Sequence, residues 1–271
     1  MSSTSIDPRA VKAQYQASNN LEARIRIHRL FSTNTYGWYR WYLDQVSLFT
    51  GARILELGCG PGSLWKDQLD RLPAGARLAL TDYSRGMVRQ ARANLSDRRI
   101  SFASADAQSI PFPNASFDVV IANHMLYHVP DRDRAIREIR RVLAPGGRLY
   151  AATNGLRHMA EIEKYSRRLT ARYADEQTGE QVSLWTKAFT LENGGGQLAR
   201  HFTTVRMERY PDGLRVTGAR PLVEYVLSLL ANFQRNIPAE EVERFTRELD
   251  EEIQASGCIT ITKDTGVFIA T

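Results

Sequence analysis

A short apolar strand that runs into three alternate glycines constrains this 271-residue chain more than any other feature. Arg53 to Trp65 reads Arg-Ile-Leu-Glu-Leu-Gly-Cys-Gly-Pro-Gly-Ser-Leu-Trp. Glycine lacks a Cβ, so backbone at Gly58, Gly60 and Gly62 can turn sharply and approach a ligand closely. The spacing is Gly-x-Gly-x-Gly, not the Gly-x-Gly-x-x-Gly of dinucleotide sites. Glu56 stands just before the first glycine. An acid there points away from a pyrophosphate and towards a positively charged nucleoside.

From residue 52 the pattern alternates strand and helix. Strands are expected at Arg53–Leu57, 76–81, 100–103, 117–122 and 148–153. A short helix is expected at 63–71. Ser84 is placed to cap a helix with Met87, Val88, Ala91 and Leu95 on one face, and Asp131 another carrying Ile136, Ile139, Val142 and Leu143 inward. The second should stop at Ala144-Pro-Gly-Gly147. This alternation implies an α/β fold, a mostly parallel sheet with helices on both faces. Ligands of such sheets sit beyond the carboxyl ends of the strands. Glu56, Gly58, Asp82, Asp106 and Asn123 all fall at those ends.

The flanks are less regular. Residues 8–49 read as two or three helices, rich in aromatics from Gly37 onward. Beyond 153, helices are expected at 155–185, 220–230 and 239–255, with strands at 203–210, 258–262 and 266–270. Asn193-Gly-Gly-Gly196 should interrupt a short helix. Three parts result: an N-terminal helical segment covering the site (1–49), the ligand-binding core (50–155), and helical lid insertions with the last strands (156–271).

No stretch of about 18 uninterrupted apolar residues occurs, so no membrane association is expected. No secretory signal pattern opens the chain, and two cysteines, Cys59 and Cys258, make no disulfide framework. A cytoplasmic location is expected. The net charge of +6 comes from 36 basic and 30 acidic residues. Its clusters interleave with core positions, as on solvated helix faces. No His/Cys/Asp cluster has metal-ligand spacing, so no metal is expected.

Five segments carry a resemblance: residues 54–62, Leu-Thr-Asp-Tyr-Ser at 80–84, Ser-Ala-Asp-Ala-Gln at 104–108, Phe-Asp-Val-Val-Ile-Ala-Asn at 117–123 and Arg-Val-Leu-Ala-Pro-Gly-Gly-Arg-Leu at 141–149. Over about residues 50–155 the chain resembles the class I methyltransferases that use S-adenosylmethionine (SAM), particularly the ubiquinone and menaquinone biosynthesis branch. Phe31-Ser-Thr-Asn-Thr-Tyr-Gly-Trp38 is also similar to a segment of that branch. The resemblance implies a Rossmann-like seven-stranded sheet whose last strand, 266–270, is antiparallel.

It also implies roles. Gly58, Cys59, Gly60 and Gly62 would pass under the methionine part of SAM, and Glu56 would face its amino group. Asp82 lies 24 residues beyond Gly58, near the spacing of the acid that takes ribose hydroxyls. Tyr83 and Met87 would pack on the adenine, though Met87 suits plain core packing equally. Asp106, Ala107 and Gln108 would meet the adenine edge, and Asn123 would hold the methionine part. The following Asn-His-Met-Leu differs from the Asn-Pro-Pro-Tyr of base methylases.

His124 is the first candidate general base, and His158 a weaker one. His128 matches a position that usually supports the fold. Tyr15, Tyr36, Trp38 and Tyr39, with His124, His128 and His158, are candidates for the acceptor site; aromatic walls suit a flat apolar molecule. The expectation is a small-molecule methyltransferase, monomer or homodimer, with no nucleic-acid partner. An RNA methyltransferase and a SAM-binding protein without transferase activity are the alternatives.

Overall fold

The computed structural model describes residues 18–170, 187–230 and 237–271. Strands β1 (Arg53–Leu57), β2 (Arg77–Asp82) and β4 (Phe117–Asn123) are almost continuously apolar and buried. Such strands suit a parallel sheet covered on both faces. With β3 (Ile100–Ser104), β5 (Leu143–Asn154), β6 (Val205–Tyr210) and β9 (Thr265–Ala270) they form one seven-stranded sheet, ordered β3-β2-β1-β4-β5-β9-β6. The first five are parallel; β9 is antiparallel to both β5 and β6.

Side-chain alternation divides the core. Leu55, Leu57, Val120 and Ala122 face one apolar cluster with helix α4 (Arg132–Val142). Ile54, Val119 and Ile121 face the other, with α2 (Trp38–Gln45), α3 (Arg85–Asn94) and Trp65. This is the period of two that a pleated strand imposes. Strand order reverses between β1 and β4, which opens a crevice at their carboxyl ends.

A third cluster lies apart from the sheet. It joins Ile27 of α1 (Ser18–Phe31) to α5 (Ala160–Thr170), α7 (Ala219–Leu230), α8 (Ala239–Ser256) and a small antiparallel sheet of β7 (Gly213–Val216) and β8 (Ile259–Thr262). Sequence patterning did not reveal β7. Among the described residues no helix is long and apolar enough to cross a membrane.

Ser84 and Asp131 cap α3 and α4 as expected, accepting from the Met87 and Arg134 amides. Three local expectations need correction. Residues 63–71 form no α-helix. Their amides bond three residues back, as Trp65 N to Gly62 O and Gln68 N to Trp65 O, ending in a 3₁₀ turn at Leu69–Arg71. The Trp65 side chain, fully buried and bonded to Glu56, holds that tighter path. Second, α4 stops at Val142, and β5 already runs through Pro145 and the glycines. Third, the Asn193 glycines do not break a helix but build one, α6 (Gly194–Leu198). A Cβ on Gly194 would stand 2.7 Å from the Phe268 ring, so this helix needs the bare backbone to pack. Part of the helix expected at 155–185 falls on 171–186, outside the described residues.

Candidate active site

A cavity of about 360 Å³ opens at the reversal point. Its floor is the glycine loop. Gly58, Gly60 and Gly62 have φ of 66, 55 and 81°, a region that L side chains rarely adopt. Their environments differ. A Cβ on Gly58 would meet Met125 Cβ at 2.7 Å, and one on Gly62 would meet Leu95 Cδ1 at 2.6 Å. One on Gly60 would meet nothing within 4 Å and would project from a loop that lines the cavity. Gly58→Ala is therefore expected to destabilise the protein by about 1–3 kcal/mol, through strain and a clash. Gly60→Ala should cost only about 1 kcal/mol while damaging ligand affinity. Thermal melts paired with ligand titrations separate the two.

Three carboxylates surround this floor, and among the described residues no lysine or arginine lines the cavity. Glu56 is 1% exposed. Trp65 Nε1 donates to its Oε2 at 2.7 Å. Burial pushes its carboxyl up to about 8; the Trp65 bond opposes this and the nearby Asp82 charge adds to it. Asp82 ends β2. Its Oδ2 accepts from Gly60 N (2.9 Å) and its Oδ1 from Ser84 N (2.8 Å), so it ties the loop to the start of α3. Burial raises the Asp82 pKa too, against those two bonds. Asp106 follows β3 and is braced by Gln108, whose amide and side chain both donate to it. Cys59 is buried, and burial holds its thiol well above the usual range.

Asn123 closes β4. Its Oδ1 is buried without a hydrogen-bond partner among the described residues. A buried, unpaired acceptor carries a penalty unless something donates to it. His124 follows with φ of 55°, its amide donating to Ala152 O at 3.2 Å. This places the imidazole 5.2 Å, centroid to centroid, from the Trp38 indole of α2. Burial first, then the charges of Lys263 and His128, drop its pKa to about 4, so the ring is neutral at pH 7. His128 falls to about 4 by burial and the Arg24 charge.

Of the residues expected at the site, Glu56, Gly58, Cys59, Gly60, Asp82, Tyr83, Asp106, Ala107, Gln108, Asn123, His124, His128, Trp38 and Tyr39 line this cavity. Tyr83 is 54% exposed beside it. Gly62 and Met87 do not line it; Met87 is buried within α3. His158 is not in the wall; its Nδ1 accepts from Asp264 N at 3.2 Å. Tyr36 turns outward and donates to Asp44 (2.7 Å). Tyr15 lies outside the described residues. Sequence reasoning missed Ile25, Ser63, Met125 and Tyr127, which also line the cavity. The position of Met125 and Tyr127 between His124 and His128 was the available signal.

This arrangement fits SAM. The open face at Gly60 is a cradle, Glu56 is a buried acid lacking a cation, and Asn123 Oδ1 awaits a donor. Fold and site together define a nucleoside-binding α/β domain built for a cationic ligand.

Comparison with known proteins narrows this class. Residues 55–151 match the family described as a methyltransferase domain. The 27-O-demethylrifamycin SV methyltransferase of Amycolatopsis mediterranei is 31% identical over 213 residues, spanning 68% of this chain and 78% of the relative. A ubiquinone/menaquinone biosynthesis C-methyltransferase of Hahella chejuensis is 35% identical over 144 residues, 52% of this chain and 55% of the relative. The chain thus spans about half the length of such quinone-pathway relatives. Phosphoethanolamine N-methyltransferase 2 of Haemonchus contortus, solved with SAM, shares the fold at a TM-score of 0.58 and 18% identity, over 96% of this chain and 59% of that one. The chain belongs to the class I SAM-dependent methyltransferases.

Proposed function

We propose that this protein transfers the methyl group of SAM to a small aromatic or heteroaromatic metabolite, in specialised metabolism. The observation that carries the acceptor reading is the neutral His124 ring packed beside Trp38 in the cavity wall. Tyr39 lines the same cavity. The relatives named for quinone biosynthesis and for 27-O-demethylrifamycin SV support a small-molecule acceptor.

Bound SAM supplies a methyl group already activated on a sulfonium. The chain's own task is to align, exclude water and hold protons. In this reading Asp82 takes the ribose hydroxyls, since a carboxylate accepts two hydrogen bonds at once. Glu56 and Asn123 Oδ1 receive the amino end. Tyr83 covers the adenine, and Asp106 with Gln108 meets its edge. His124 accepts the acceptor's proton. A base with a pKa of about 4 is always unprotonated at neutral pH, but it takes up only a proton that becomes acidic as the methyl arrives.

His124→Asn tests this role, because Asn tolerates the left-handed backbone. Turnover is expected to fall on the order of 10²-fold with cofactor affinity retained. Unchanged turnover would remove the base assignment. The reading as a whole is tested with methyl-labelled SAM, a panel of hydroxylated and aminated aromatic compounds, and total RNA. Label is expected in the small-molecule fraction. Label confined to RNA, or no transfer at all, would overturn it.

A further inference from the structure

A second group of buried charges lies outside the cavity wall. Asp212, in the turn from β6 to β7, has a side chain 0% exposed; Lys263, between β8 and β9, is 9% exposed. They form an ion pair. The Asp212 carboxylate accepts more than this. Ser32 Oγ donates to Oδ2 at 2.5 Å, Thr33 Oγ1 to Oδ1 at 3.2 Å, Asn34 N to Oδ1 at 3.0 Å and Gly213 N to Oδ1 at 2.8 Å. Only an ionised carboxylate, with about four acceptor positions and no donor, satisfies such a set. The same segment is stitched by backbone, with Thr33 N on Gly213 O at 2.9 Å. Asn34 Nδ2 adds a bond to Pro211 O at 2.8 Å.

The bonded segment sits immediately before the wall of the site. Residues 32–34 lead through Gly37 into α2, whose first two residues, Trp38 and Tyr39, line the cavity. The other half of the ion pair grips the same wall from a different side. Lys263 Nζ lies 5.5 Å from the Tyr210 ring centroid, and that ring packs 5.4 Å from Trp38 and 5.2 Å from Trp41. Trp38 in turn stands beside His124.

A buried ion pair adds little net stability against an apolar replacement, because both ions lose their hydration. Its worth here is directional. One carboxylate joins three parts of the chain that are distant in sequence: 32–34, 212–213 and 263.

We propose that Asp212 is a positioning residue which, with Lys263, fixes the Ser32–Asn34 segment so that Trp38 and Tyr39 stand over the cofactor cavity. The proposal rests on the cofactor reading given above. Its action is on the geometry of the wall; Asp212 touches neither cofactor nor acceptor.

The test cuts the tether from the loop side and leaves the ion pair intact. Ser32→Ala with Thr33→Val removes two donors to Asp212. S-adenosylhomocysteine binding to the full chain is measured by calorimetry beside thermal melts. Affinity is expected to fall about tenfold, as for two lost hydrogen bonds to a charged group that act through the wall. The melting temperature should fall by no more than about 10 °C, in a single transition that leaves the chain folded at the assay temperature. Ser32→Thr with Thr33→Ser, which keeps both hydroxyls, should retain wild-type affinity. Asp212→Asn should lose at least as much affinity as the Ala/Val pair. Wild-type affinity in the Ala/Val pair overturns the proposal, and so does an equal loss of affinity in the Ser32→Thr, Thr33→Ser pair that keeps both hydroxyls. Absence of binding by the wild-type chain would instead bring down the cofactor reading, and this proposal with it.

Discussion

Asp82→Ala is expected to abolish measurable S-adenosylhomocysteine binding, a loss of at least about 100-fold. The size follows from two roles in one side chain. In the free protein the carboxylate already accepts from the Gly60 and Ser84 amides, which holds the glycine loop against the end of β2. In the complex it also takes the ribose hydroxyls. Alanine removes the ligand contact and leaves two amides of the loop without their acceptor. Asp82→Asn separates these roles, since a single oxygen can serve one amide or the ribose but not all. An intermediate loss is expected for it. Calorimetry on both variants, with melts to show that the sheet is intact, decides the matter; wild-type affinity in Asp82→Ala would sink the assignment of this cavity to SAM.

The second large effect is on pH dependence. Free Glu56 has a carboxyl pushed up to about 8 by burial, so at pH 6 it is protonated. The ligand's ammonium favours the ionised form, so binding expels a proton. Affinity should therefore rise close to tenfold per pH unit from about pH 6 and level off near pH 8. In Glu56→Gln this rise should vanish over the same range. Stability runs the other way. A carboxyl whose folded pKa is raised stabilises fully below its ordinary value of 4.5, and that contribution is lost as pH rises through about 8. The ligand-free wild type should thus lose more melting temperature between pH 6 and 9 than Glu56→Gln. Equal pH slopes in the two proteins would rule out Glu56 as the group that meets the cation.

The parts of the fold visible in the sequence were those fixed by neighbours in the chain. Glycines 58, 60 and 62, the caps Ser84 and Asp131, and the polar residues at or next to the ends of β1, β2 and β4 all sit where a local rule puts them. A two-residue strand period or a cap depends on a few adjacent side chains. Strand β9 was legible as a local apolar run, while its antiparallel direction was legible only through the family resemblance. What escaped depends on contacts between distant residues. The tight turns at 63–71 follow from Trp65 finding Glu56. Helix α6 tolerates three glycines because the rings of Phe189 and Phe268 close on Gly194. Tyr36 and Trp38 looked equally suited to the cavity wall; Gly37, with φ of 87°, lies between them, and Asp44 draws Tyr36 outward. His158, read as able to reach the pocket, does not line it; its Nδ1 accepts from Asp264 N in the turn into β9.

The register of the last two sheet strands has a consequence for how such a protein can change. Tyr210 and Thr265 are paired partners on β6 and β9, so everything from 211 to 264 is an insertion whose two feet already touch. The Asp212–Lys263 pair crosses the neck of that insertion. A segment with adjoining feet can be lengthened, shortened or exchanged without moving any strand of the sheet. This segment could then diverge by grafting at the neck while the sheet that carries the cofactor cavity is inherited unaltered. A graft that omits the neck's acid or its base would transfer the new segment without the contact that holds α2 in place.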